Sequence, residues 1–236
     1  VAKVVLDGKK GLVADGKEII PPKYDEINDI AHAPYQVKLG GKWGFISESG
    51  KEITPVKYDA VTAFADGLAG VKLDGKWGYI NQRGEEVIVP KYDEIKEFSE
   101  NRAGVRLDGN WGYIDGSGEE VISPQYDEAG KFDKGLASVS INGRWGLIDK
   151  NGELKCKIIY DSIFNNEGMS LIRVDLDGMT GYINRAGKVV IPIMYEEVIN
   201  YNDEAVVVRA ETDTCVDSRG TLVEYFLSVS DAEATY

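Results

Sequence analysis

The chain has 236 residues, enough to bury a substantial core without help from a metal or a disulfide. Its 40 acidic residues outnumber 27 basic ones, and the resulting formal charge of −13 repels a phosphate backbone, which argues against nucleic acid as a partner. No apolar run approaches the ~20 residues a helix needs to cross a bilayer, and two cysteines with one histidine are too few ligands for a zinc site.

In chain order, the first readable element is Val4-Val5-Leu6, a strand that enters the hairpin dipeptide Asp7-Gly8. Lys10-Gly11 then opens a pattern that repeats. Trp43-Gly44, Trp77-Gly78, Trp111-Gly112 and Trp145-Gly146 recur at intervals of 34 residues. Degenerate copies stand at Lys10-Gly11 and Thr180-Gly181, and a third around Asp213-Thr214. Gly16, Gly50, Gly84, Gly118, Gly152, Gly187 and Gly220 keep the same beat. So do Tyr24, Tyr58, Tyr92, Tyr126, Tyr160 and Tyr195, the first five followed by aspartate and the sixth by Glu196. Self-similarity in fixed phase marks a repeat architecture. It divides one continuous domain into about seven units: 1–23, 24–57, 58–91, 92–125, 126–159, 160–194 and 195–236.

The fourth unit predicts four strands. Tyr92 to Phe98 is the first, turned by Ser99-Glu100-Asn101 into a second at Ala103 to Leu107. Asp108-Gly109 is a two-residue hairpin signal, and Trp111 to Asp115 is the third strand. Gly116-Ser117-Gly118 leads into the fourth, Glu119 to Ser123, and Pro124 is expected to end the ladder because it lacks an N–H. Four short meandering strands make an all-β blade, and seven of them predict a seven-bladed β-propeller. The alternative is an open, twisted β-repeat array, since propeller blades usually run to about 40 residues or more. In the propeller, Leu227 to Ser230 would supply the first strand missing beside Val4–Leu6.

Within such a blade the repeated tryptophan reads as a wedge between units, and its glycine as a gap that admits a neighbour's side chain. A carbohydrate-stacking or cation-binding tryptophan surface is the rival. Aspartates after the tyrosines could ring a cation, but no run converges oxygens as calcium needs, so they read as turn caps. Cys156 and Cys215 lie 59 residues apart, out of phase with the repeat, and are not expected to pair. No nucleophile elbow, phosphate-cradling loop or His-Glu-x-x-His occurs, so we assign no catalytic residue, cofactor or metal and expect no enzyme.

The turn between first and second strands varies most. It reads Ala31-His32-Ala33-Pro34-Tyr35, Ala65-Asp66-Gly67, Asn165-Asn166-Glu167-Gly168 and Tyr201-Asn202-Asp203-Glu204. Variable loops are where a repeat carries recognition. His32, Tyr35, Asn165, Asn166, Tyr201 and Asn202 are therefore expected on one face, contacting a partner.

Asp74 to Ile95 and Asp108 to Ala129 resemble the WG-repeat family of bacterial proteins, whose units read Asp-Gly-Lys-Trp-Gly-Tyr-Ile-Asp, a turn glycine, then Val-Ile-Pro-Pro-x-Tyr-Asp. The resemblance spans nearly the whole chain and weakens at both ends. It implies a β-repeat interaction module, often exported or joined to other domains, and transfers no catalytic or ligand-binding residue. The expectation is a monomeric protein-interaction scaffold. An envelope or cell-surface glycan-binding module is the alternative, and a glycosidase using paired carboxylates a lesser one.

Overall fold

The computed structural model describes residues 1–28, 33–165, 171–200, 205–209, 214–217 and 222–223, with backbone alone from residue 197 onward. All regular structure there is antiparallel β-strand. Seven sheets follow one another in chain order, five of four strands and two of three, and each is a simple meander. The chain divides into two compact parts, Val1–Gln125 and Tyr126–Tyr236.

In the first part, one sheet comprises Ala2–Leu6, Lys9–Ala14 and Lys17–Tyr24. The second comprises Glu26–Asn28, Tyr35–Leu39 and Lys42–Ile46, with its fourth strand reduced to the isolated bridges Trp43↔Tyr58 and Ile46↔Glu52. The third has all four strands, Ala60–Ala65, Leu68–Leu73, Lys76–Asn81 and Glu86–Tyr92. The fourth runs through Glu94–Ile95, Arg102–Leu107, Asn110–Asp115 and Glu120–Tyr126.

The second part continues the pattern. Its first sheet is Glu128–Ala129, Leu136–Ile141, Arg144–Asp149 and Leu154–Tyr160. The next is Ser162–Phe164, Leu171–Leu176, Met179–Asn184 and Val189–Tyr195. The last is Glu197–Asn200, Ala205–Arg209, Thr214–Asp217 and Leu222–Val223.

The hairpin chemistry works as its sequence demands. Asp108 and Gly109 sit at φ 52° and 88°, the positive pair a two-residue turn needs to match strand twist. The turn between first and second strands proves more regular than its sequence. Asp66-Gly67, Glu100-Asn101 and Lys134-Gly135 all have positive φ at both positions, so three different sequences build one turn.

Two boundary expectations are corrected. Tyr92 does not begin a first strand; it ends the preceding fourth strand, paired with Trp77. Nor does proline stop that strand. Glu86–Tyr92 runs through Pro90, because the register jumps from Ile88↔Tyr79 to Tyr92↔Trp77. Val89, Pro90 and Lys91 thus bulge opposite Gly78 alone. A bulged position on an edge strand needs no ladder N–H, which is where proline fits.

Cores lie between successive sheets. Leu12, Ile20 and Tyr24 of the first sheet pack with Ile27, Val37 and Ile46 of the second. Tyr79, Ile88 and Tyr92 of the third pack with Val105 and Ile114 of the fourth. In the second part Leu147, Cys156 and Tyr160 pack with Ile172, Val174 and Ile183. Each sheet that buries both faces needs a neighbour, so the array coheres by stacking one repeat on the next. Among the described residues no sheet closes on itself. The propeller and the open array would use the same sheets, and the expected Leu227–Ser230 contact lies outside the described residues.

Candidate functional site

The most repeated residues are used to build the fold. Trp43 packs against the core containing Val71 and Ile80 of the next sheet, and Trp77 against that containing Val105 and Ile114. Both act as the expected wedges. Trp111 is 5% exposed. Lysines cover these rings: Lys38 Nζ lies 5.1 Å from the Trp43 centroid, Lys72 Nζ 5.7 Å from Trp77 and Lys96 Nζ 4.7 Å from Trp111. Trp145 is half-buried and pairs with Tyr160.

The partner glycine has a different role from the expected one. A Cβ at Gly78 would lie 2.3 Å from the Ile88 carbonyl oxygen and 2.6 Å from the Pro90 nitrogen. Gly112 meets Ile122 and Pro124 in the same way. The gap therefore admits the bulged backbone of the unit's own fourth strand rather than a neighbour's side chain. Side chains enter only where proline has become isoleucine: the Cβ sites of Gly146 and Gly181 lie 2.7 Å from Ile158 Cγ1 and Ile193 Cγ1.

Each aspartate after the repeat tyrosine joins two hairpins. Asp25 accepts from Lys9 Nζ at 2.5 Å and from the Gly40 amide at 2.8 Å. Asp93 accepts from Lys76 Nζ and from the Asp108 amide at 3.1 Å. Asp59 does the same with Lys42 and the amides of Asp74 and Gly75. In the second part Asp161 takes Arg144 and the Asp177 amide at 2.6 Å. The lysine beside each of Asp25, Asp59 and Asp93 holds its carboxyl below the ordinary carboxylate range, helped by the amides. These aspartates are thus caps that also tie one repeat to the next.

The sixth repeat replaces tryptophan with Thr180, which is buried. Its hydroxyl donates to Asp175 Oδ1 at 2.7 Å, and Ser162 Oγ donates to Oδ2 at 2.6 Å. Arg173 adds a bond at 3.0 Å while lying over Phe164. Burial pushes the Asp175 carboxyl up, but the bonds from Ser162, Thr180 and Arg173 outweigh it and hold the group charged. The network satisfies a polar substitution in a core position. Among the described residues, no three His, Cys, Asp or Glu side chains converge as metal ligands would.

The expected partner residues fare unevenly. Tyr35 is corrected: it is 2% exposed, pairs with Ile46 and belongs to the core, because the turn closes before it and the second strand already begins there. Asn165 is half-buried and accepts from Arg185 at 3.4 Å. His32, Asn166, Tyr201 and Asn202 lie outside the described residues.

A departure from the repeat appears instead on the outward side of the fourth strands. Six and one residues before the tyrosine, the repeats carry Glu18 and Lys23, Glu52 and Lys57, Glu86 and Lys91, then Glu120 and Gln125. Lys57 reaches Glu86 of the next repeat at 3.2 Å. In the second part these positions become Leu154 and Ile159, then Val189 and Met194, exposed by 56%, 43%, 44% and 63%. The neighbouring geometry is kept. A Cβ at Gly84 would meet the Ile53 carbonyl oxygen at 2.4 Å, and one at Gly187 would meet that of Lys155 at 1.8 Å. Val189 thus stands to Ile159 as Glu86 stands to Lys57, and the four side chains form one apolar stripe. Its signal was legible as a charge pattern broken in two consecutive repeats.

A family model described as WG containing repeat matches residues 14–43, 43–77, 77–111, 111–145, 145–178 and 181–210. No curated protein matches the sequence. Among solved structures, Hsv2p from Kluyveromyces lactis is similar at 11% identity and TM-score 0.43, over 78% of this chain and 70% of that one. A eukaryotic initiation factor is similar at 12% identity and TM-score 0.44, over 94% and 72%. PorZ, a surface component of the type-IX secretion system of Porphyromonas gingivalis, is similar at 10% identity and TM-score 0.38, over 85% and 32%.

Proposed function

The chain belongs to the WG-containing repeat family, matched across six consecutive segments, and from that premise we propose that it is a non-catalytic scaffold that binds other proteins. The observation that carries this reading is the division of labour along the repeat. Its shared tryptophans, glycines, tyrosines and aspartates are engaged in packing, bulges and inter-repeat bonds. Recognition is left to surface positions that depart from the pattern, and the exposed stripe of Leu154, Ile159, Val189 and Met194 is the largest such departure on the fourth strands. Exposed apolar side chains set among charged ones mark interaction surfaces.

Immobilised chain should capture a defined protein, and the purified partner should bind it by calorimetry. A glycan array run in parallel separates the two binding classes. Saturable glycan binding with no protein captured would replace this reading with carbohydrate recognition.

A further inference from the structure

The apolar stripe coincides with a second anomaly, in backbone rather than side chain. Fourth strands lie at one edge of their sheets, where unpaired N–H and C=O groups invite another strand. Proline blunts that edge in the other fourth-strand segments from the first repeat to the sixth, as Pro21-Pro22, Pro55, Pro90, Pro124 and Pro192. Leu154–Tyr160 has none and keeps an N–H at every residue. It is also cationic. Residues 154–160 and 188–195 hold Lys155, Lys157 and Lys188 and no carboxylate, within a chain of net charge −13.

We propose that the edge strand Leu154–Tyr160, with the stripe Leu154, Ile159, Val189 and Met194, is the docking site for an extended acidic segment of another protein. The proposal rests on the protein-scaffold reading and specifies its partner's chemistry. The incoming segment adds a strand to the open edge through main-chain hydrogen bonds. Alternate apolar side chains lie on the stripe, and its carboxylates face Lys157 and Lys188. Four part-exposed side chains fall short of the roughly 800 Å² per partner usual in a stable globular interface, which suits a peptide segment. A second copy is a poorer occupant, because pairing two such edges would bring their lysines together and oppose two chains of like net charge.

The test uses the full chain and a phage-displayed library of random 12-residue peptides. Selected peptides should alternate apolar residues with Asp or Glu, and a synthetic copy should bind by fluorescence anisotropy. The double change Ile159→Lys with Val189→Glu rebuilds the Lys57–Glu86 arrangement, so it should leave the denaturation midpoint in place and weaken peptide binding at least tenfold. Lys157→Glu, at an exposed position, should weaken it several-fold without any apolar change. Acidic peptides that bind both variants undiminished would overturn the site while leaving the scaffold reading standing. Recovery of neither peptide nor protein would sink both. A concentration-dependent dimer abolished by the double change would assign the stripe to a second copy instead.

Discussion

Lys76, at the start of one sheet's third strand, donates to Asp93, the residue that leads into the next sheet. The other carboxylate oxygen of Asp93 caps the following hairpin at Asp108. The contact is exposed, so its value is modest, but it recurs along the array. Asp93 is held below its ordinary range by Lys76. A depressed folded-state value contributes stability above the unfolded-state value and loses it as pH falls through the folded one. Asp93→Asn should therefore lower the urea midpoint at pH 7. The gap between variant and parent should close as pH drops below about 4. A gap of equal size at pH 7 and pH 3 would show that the charge contributes nothing.

Gly112 and Gly109 separate two reasons for glycine. A Cβ at Gly112 would sit 2.4 Å from the Ile122 carbonyl oxygen, whereas Gly109 has open space and φ 88°. Gly112→Ala should cost about 3 kcal/mol through forced backbone movement, and Gly109→Ala about 1–2 kcal/mol through left-handed strain alone. Denaturant titration of both variants checks the order, and a reversed order would refute the close-approach account.

Trp111 is nearly fully buried. Trp111→Ala should cost about 3–5 kcal/mol. A loss below about 1 kcal/mol in chemical denaturation would return the tryptophans to the role of exposed binding platform.

Tyr35 should behave as a core residue. Its substitution by serine, neutral if the side chain faced a partner, should cost about 3 kcal/mol or more through the cavity it leaves. An unchanged midpoint with weakened partner binding would reinstate the recognition role.

Cys156 is buried among Leu147, Tyr160 and Ile172, and burial pushes its thiol up to about 11. It should resist a thiol-specific reagent at pH 8 in the native protein and react on unfolding. Rapid native labelling at Cys156 would mean that this core opens readily.

Much of the fold was legible because a repeat is a local device. Period, strand count and hairpin dipeptides follow from residues near one another in the chain, and Asp108-Gly109 dictates its turn wherever the unit is placed. Other features depend on what stands across a sheet or on the next one. Tyr92 reads equally well as the end of one strand or the start of another until Trp77 is found opposite it. Pro90 reads as a stop until Gly78 yields room for a bulge. Tyr35 reads as a loop aromatic until the second strand carries it inward. The stripe lies between these cases. Its apolar residues could be counted in the sequence, but five residues separate Leu154 from Ile159 and thirty separate Ile159 from Val189. Only the stacking of consecutive sheets, which brings Gly187 onto the Lys155 carbonyl, makes one surface of them.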